Sequence, residues 1–335
     1  MSRPPIPAIG IDLGTTFSVL ARIDERGRPV TVVNGEGDLL TPSAVLFDGS
    51  EVVVGKEALK ALSTEADHVA ECSKRDVGHR EYHKTFDGQR YPPEVIEAFV
   101  LHKLRLDAVR QTGPFSKVVI TVPAYFDEVR RKATQDSGYM AGFEVLDIIN
   151  EPTAAAVAFG FQQGYLDQQG STHAPQHILV YDLGGGTFDV TIMQIRGTEF
   201  TALSTDGDVR PGGYDWDQRL VDLAAEQYIR QHGCDPREDP VAAGKLWREC
   251  EDAKRTLSAR QKAAIVCDHR GVSARLEVTR QQFEEATQDL LDRTRFTTVQ
   301  ALKAAGLDWS DIDRVLLVGG STRMPMVRAM LKEIS

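Results

Sequence analysis

Two aspartates, Asp12 and Asp182, each open the same short run of small and hydroxylated residues. The first run is Ile11-Asp-Leu-Gly-Thr-Thr-Phe-Ser-Val19; the second, with its aspartate 170 residues further on, is Val180-Tyr-Asp-Leu-Gly-Gly-Gly-Thr-Phe-Asp-Val190, with one extra glycine. Each copy is an apolar strand, an acid, a Gly/Thr-rich tight turn and a second apolar strand, which predicts a hairpin whose turn presents backbone N–H groups. Glycine lets the main chain approach an anion, the hydroxyls add donors, and the neighbouring carboxylate can hold the divalent cation that accompanies nucleotide phosphates. Neither a GxxxxGK[ST] loop nor a GxGxxG fingerprint occurs, so the usual signatures of P-loop and dinucleotide-binding proteins are excluded. Packing needs alone rarely yield a matched pair of such turns, and two copies imply two lobes gripping one phosphate ligand.

The elements that must position these turns alternate between strand and helix. The first hairpin covers roughly 8–24 and 30–33, and β-like runs follow at 44–47 and 52–54. A helix is expected over 94–110 after Pro92-Pro93, a buried strand over 118–122 closed by Pro123, a helix over 127–141 stopped by Gly142, a strand over 145–149, and a small-residue helix over 152–159 closed by Gly160. The polar, Gln- and Gly-rich stretch 164–176 reads as the boundary between lobes. Beyond it the plan restarts. From 213 to 289 the character becomes more helical and suggests an inserted subdomain: Leu246, Cys250, Ala253 and Leu257 share one helical face, and a helix over 217–231 ends at Gly233. A strand at 315–318 then leads through Gly319-Gly-Ser-Thr into a helix over 325–332.

With 335 residues, 41% apolar content and 26% charge, the chain is large enough for two cores. A net charge of −10 argues against a broad nucleic-acid footprint, which needs clustered Lys and Arg in excess. No apolar run approaches the length of a membrane span, and residues 1–7 lack the apolar segment of a secretory signal, so a cytoplasmic protein without a membrane partner is expected. Cys72, Cys234, Cys250 and Cys267 have no CxxC spacing and read as free thiols.

Five segments together carry a resemblance. Gly10-Ile-Asp-Leu-Gly-Thr-Thr-Phe-Ser18, Thr121-Val-Pro-Ala-Tyr-Phe126, Asn150-Glu-Pro-Thr-Ala-Ala-Ala156, Val180-Tyr-Asp-Leu-Gly-Gly-Gly-Thr-Phe-Asp189 and Leu317-Val-Gly-Gly-Ser-Thr-Arg323 are similar to the ATPase domain of the heat-shock protein 70 (DnaK-type) chaperone family over nearly the whole chain. The resemblance implies an α/β, actin-like ATPase fold built from ribonuclease H-like repeats, with two lobes around a nucleotide cleft. Lobe I would be 1–165, with a reduced upper subdomain at about 42–91, and lobe II 166–335, with an upper helical subdomain at about 212–288. The peptide-binding domain of the family would be absent after Ser335.

Residue by residue, the resemblance implies ATP or ADP with Mg²⁺. Asp12 and Asp182 would hold the metal largely through its waters, and Gly14, Thr15, Thr16, Phe17, Gly184, Gly185, Gly186 and Thr187 would surround the phosphates. Asp189 with the Thr187 oxygen corresponds to a monovalent-cation site, for potassium; taken alone, Asp189 is equally a strand-end aspartate bonded to its own turn. Lys74 would reach the γ-phosphate and Glu151 would order the attacking water, giving Lys74, Glu151, Asp182 and Thr187 as the catalytic set. A lone lysine is otherwise most often solvated surface, and Glu151 at a helix start would favour the helix dipole in any case. Glu251, Lys254, Arg255 and Ser258 recur at helical spacing, a stripe that in most proteins faces water. Here it matches the family's nucleoside grip, with Gly212, Gly213, Gly319, Gly320, Ser321 and Arg323 completing it.

The same resemblance implies, for a full-length protein, unfolded peptides, a J-domain co-chaperone and a nucleotide-exchange factor as partners, and a monomer. Tyr214 departs from the family pattern by replacing an acidic residue, and the span from Lys74 to Tyr91 is short. Alternatives on the same fold are a sugar or acyl kinase, for which no acceptor-site motif is present, an actin-like filament ATPase, and a nucleotide sensor without turnover.

Overall fold

A computed structural model of the chain describes residues 8–164 and 175–335. Most of the expected boundary stretch, 165–174, lies outside the described residues. Two compact units are present: one holds the chain up to Lys60 together with His68–Ala154, the other Ala61–Asp67 and everything from Ala155 onward.

The first unit opens with β1 (Ile9–Asp12), β2 (Phe17–Ile23), β3 (Pro29–Thr31) and β4 (Thr41–Pro42). It continues through β5 (Val45–Asp48), β6 (Glu51–Val54), α1 (Lys56–Ala61, ending at the unit boundary), β7 (Val69–Ala70), α2 (Pro93–Thr112), β8 (Lys117–Val122), α3 (Glu128–Met140) and β9 (Glu144–Asn150). The main sheet runs β3-β2-β1-β8-β9, antiparallel through the opening hairpins and parallel from β1 to β8 to β9. Alternation decides which face is core: Ile9 and Ile11 point inward and leave Gly10 and Asp12 outward, while Val118, Ile120 and Val122 do the same on β8. Helix α2 starts at Pro93, where a missing N–H costs nothing, and lays Ile96, Val100, Leu101 and Leu104 on this core.

Helix α4 (Glu151–Gln162) carries the chain into the second unit. It runs through Gly160 rather than stopping there, because a helix-interior glycine costs only about 1 kcal/mol. The second unit contains β10 (Gln176–Leu183), β11 (Phe188–Arg196), β12 (Glu199–Asp208), α5 (Gly213–His232), α6 (Pro240–Ala259), β13 (Lys262–His269), β14 (Val272–Thr279), α7 (Arg280–Ala286), α8 (Gln288–Ala304), β15 (Arg314–Val318) and α9 (Pro325–Ile334). Its sheet runs β12-β11-β10-β15, again with antiparallel hairpins followed by a parallel late-arriving strand. Strand β10 is buried on both faces: Leu179, Tyr181 and Leu183 enter the large core with Trp216 and Tyr228, and Ile178 and Val180 enter a smaller one with Ala156. The helical reading of 213–289 passes over the hairpin β13–β14, whose strict alternation of buried Ala263, Ile265, Cys267 and His269 is a period-2 signal.

The sequence echo is therefore a topological one, and the two turns are the same size. Asp12 pairs with Val19, seven residues on, and Asp182 pairs with Asp189, also seven residues on. The extra glycine does not enlarge the second turn; it moves the following motif one position along β11. Phe188 thereby takes the buried place that Ser18 holds in the first copy, and Thr187 stands at the turn position of the half-buried Phe17.

Candidate functional site

In the first unit the chain between β1 and β2 is held in one shape by its own backbone. A Cβ on Gly14 would fall 2.2 Å from the Phe17 carbonyl oxygen, so no other residue fits there. Ser43 braces the turn from outside, its hydroxyl donating to the Gly14 carbonyl at 2.7 Å and its N–H to the Thr16 carbonyl at 2.9 Å. Thr15 is buried, and Asp12 stands exposed at the end of β1, accepting a hydrogen bond from the Thr121 hydroxyl on β8 at 2.9 Å.

Lys74 is brought to this turn from far along the chain. Cys72 adopts a left-handed conformation (φ 56°) and starts a short 3-10 turn, Ser73–Arg75, that points the lysine inward. The Lys74 side chain is 6% exposed, and its Nζ donates to the Leu13 carbonyl at 2.6 Å and to Glu151 Oε1 at 2.5 Å. Burial opposes the lysine's charge, but Glu151 and Asp12 outweigh it and hold its pKa above the ordinary value, so the ammonium persists. Burial raises the Glu151 carboxyl while Lys74 pulls it down. Asp12, Gly14, Thr15, Thr16, Phe17, Lys74 and Glu151 thus belong to one cluster.

In the second unit three glycine segments interlock. The turn Gly184–Thr187 closes with the Gly184 N–H donating to the Thr187 carbonyl at 3.0 Å. The Gly184 carbonyl then accepts from the Gly213 N–H at 3.0 Å and from the Ser321 hydroxyl at 2.9 Å, while the Tyr214 N–H donates to the Gly185 carbonyl at 2.7 Å. Added Cβ atoms would collide at each crossing: 2.2 Å from Gly186 for Gly212, 2.5 Å from Ser321 Oγ for Gly213, and 2.3 Å from the Leu183 carbonyl oxygen and 2.7 Å from Asp182 Oδ1 for Gly319, whose φ is 85°. Asp182 lies opposite Asp189 in the β10–β11 ladder, and both are buried, as is Thr187. Gly320 has open space beside it and Arg323 is exposed.

Helix α6 brings the polar stripe to the same place. Lys254 Nζ donates to the Gly213 carbonyl at 2.8 Å and to Asp217 Oδ2 at 2.6 Å. Glu251 takes Arg248 at 2.6 Å and Arg255 at 2.5 Å, and the Ser258 hydroxyl caps the Lys254 carbonyl at 3.2 Å. Far from facing water, Glu251 is buried. The sequence reading missed Asp217, which anchors Lys254 from one turn into α5; its four-residue offset from Gly213 puts it on that side of the helix. Burial pushes its carboxyl up to about 6 despite Lys254. Ser43, Thr121 and the pairing of Tyr214 with Trp247 (ring centroids 4.3 Å apart) were also missed, because each contact joins residues remote in sequence.

The sequence that builds these glycine crossings, the Lys74 turn and the α6 stripe is similar to that of known proteins. The profile of the family described as Hsp70 protein matches residues 8–86 and 82–335. The chain belongs to the Hsp70 family. Its fold is the family's actin-like ATPase fold, α/β in class. Curated Hsp70 relatives named Chaperone protein DnaK are 42% identical: one from Halobacterium salinarum over 97% of this chain and 51% of its own length, one from Thermotoga neapolitana over 97% and 54%, and one from Thermosipho melanesiensis over 100% and 56%. The chain therefore spans about half the length of the Hsp70 relatives it matches. Among the described residues, no helix is long and apolar enough to cross a membrane.

Proposed function

We propose that this chain binds ATP and hydrolyses it to ADP and phosphate, as the nucleotide-binding part of an Hsp70-type chaperone. The observation that carries the reading is the Lys74 ammonium on the first turn. An ammonium has three N–H donors, and Leu13 and Glu151 occupy two. The third has no partner among the described residues and is left for a phosphate oxygen or the attacking water, at a point where Lys74 is already oriented and charged before substrate arrives. Phosphoryl transfer asks little covalent chemistry of a protein; it asks for positioning and for positive charge where negative charge gathers.

Gly14 to Phe17 and Gly184 to Thr187 would cradle phosphates, the second turn through backbone N–H groups other than that of Gly184, which closes the turn on Thr187. Glu251, Lys254, Arg255 and Ser258 would hold the nucleoside, with Gly212, Gly213, Gly319, Gly320, Ser321 and Arg323 beside them. The donor chemistry fits Mg²⁺: Asp12 and Asp182 offer hard oxygens. Among the described residues no three His, Cys, Asp or Glu side chains converge as a metal cage, so such an ion would take most of its ligands from water and phosphate. When bound, the metal supplies charge neutralisation to the phosphates. Asp189 and the Thr187 oxygen would hold K⁺.

The nucleotide cycle would control peptide binding in the cytoplasm, with a J-domain co-chaperone and an exchange factor as partners of a monomeric chaperone. Calorimetric titration tests the reading. ATP should bind with Mg²⁺ present and inorganic phosphate should follow; absence of nucleotide binding would refute it.

A further inference from the structure

Helix α2 presents a buried acid to the back of the Lys74 turn. Glu97 is 2% exposed, and its Oε2 accepts no hydrogen bond among the described residues. A buried carboxyl without a partner is costly, and a methionine would fill similar space without that cost. Among the described residues, the acid's one favourable charged neighbour is Lys74, on the 3-10 turn packed against α2. Three carboxyl groups, those of Glu151, Asp12 and Glu97, thus act on one ammonium.

We propose that Glu97 is a positioning residue for Lys74: uncharged, it leaves the ammonium to Leu13 and Glu151, and charged, it competes with Glu151 and draws the ammonium off the first turn. The inference rests on the reading that the chain hydrolyses ATP. Burial pushes the Glu97 carboxyl up to about 8, with Lys74 lowering it and Glu94 of the same helix raising it. Among the described residues, no charged group of α3, β1, β2, β5, β6 or β8, elements that pack on α2 or share its core, acts on it. Near neutral pH Glu97 is therefore a neutral acid. In alkaline solution it gives its proton to hydroxide, forming water and leaving a second buried carboxylate beside Lys74. Lys74 itself, held above its ordinary value of 10.5, keeps its charge through that range.

The test is the pH profile of ATP turnover, read as the ratio of kcat at pH 7 to kcat at pH 9 within each variant. Wild type should lose about tenfold, as one ionisation near pH 8 requires, with the loss in kcat rather than KM. Glu97→Gln should flatten the profile, and Glu97→Asp, which can still ionise, should restore the fall. Superimposable profiles for wild type and Glu97→Gln would overturn the proposal. A second measurement needs no variant: infrared spectra of the wild-type protein between pH 7 and pH 9 should lose a protonated-carboxyl band, and an unchanged band would overturn it equally. A wild type that hydrolyses no ATP at any pH refutes the ATPase reading itself, which keeps the two failures distinct.

Discussion

The ion pair of Lys74 with Glu151 sets a stability prediction whose size follows from the structure. Lys74→Met keeps the length of the side chain and removes its charge. It leaves Glu151 and the Leu13 carbonyl without the donors that reach them at 2.5 and 2.6 Å. Breaking one side of a buried pair costs about 3–5 kcal/mol, and the lower end is expected because Glu151 can take a proton instead. Its carboxyl is already raised by burial, and without Lys74 it rises further. A carboxyl whose folded pKa lies above its unfolded value lends stability that is complete below about 4.5 and disappears as pH rises through the folded pKa. The Lys74→Met penalty should therefore be smaller at pH 5 than at pH 8. In a Glu151→Gln background no charge is orphaned, and the same substitution should cost only about 1 kcal/mol, a coupling near 2 kcal/mol. Hydrogen exchange of the β1 and β8 amides reads the first unit alone. A penalty that is equal in both backgrounds, or independent of pH, would refute the reasoning.

Two further outcomes concern the second unit, which contains all three tryptophans, Trp216, Trp247 and Trp309, so that their fluorescence reports it selectively. Gly319→Ala must adopt φ 85° and push its Cβ away from the Leu183 carbonyl, costing about 2–4 kcal/mol and at least tenfold in nucleotide affinity. Gly320→Ala, whose Cβ would meet open space in the same unit, should change stability by no more than about 0.5 kcal/mol, and similar effects on stability at both positions would discredit the packing account. Asp217, at about 6 against an unfolded 3.8, contributes stability present below 3.8 and lost as pH rises through 6, about 3 kcal/mol in all. Asp217→Asn should lack that slope in denaturant titrations between pH 4 and pH 7, and an unchanged slope would assign it to another group.

What the sequence made legible was local. A strand ending in Asp, then Gly, then hydroxylated residues has few conformations open to it, so both hairpins and most flanking elements follow from pattern alone. The contacts that make a site of them are not local. Lys74 meets Leu13 and Glu151 across 61 and 77 positions, and only the burial of the Ser73–Arg75 turn beneath α2 determines that meeting. The family resemblance pointed to Lys74 where spacing could not. Neither route pointed to Asp217 or Glu97, because a carboxylate on a helix reads as solvent-facing until its neighbours are known. The shifted register after the extra glycine was equally hidden, since aligning the two phenylalanines by sequence makes Phe17 equivalent to Phe188, while counting from the two ladders makes it equivalent to Thr187.

The central claim is that Lys74 acts in the chemical step of ATP hydrolysis, and single-turnover phosphate release at saturating ATP and Mg²⁺ tests it most directly. Wild type should convert bound ATP to ADP and phosphate. Lys74→Ala should bind ATP yet release phosphate about a hundredfold more slowly, because a positioning group acts chiefly in the transition state. Equal rates in the two proteins, or a loss confined to ATP affinity, would contradict the account.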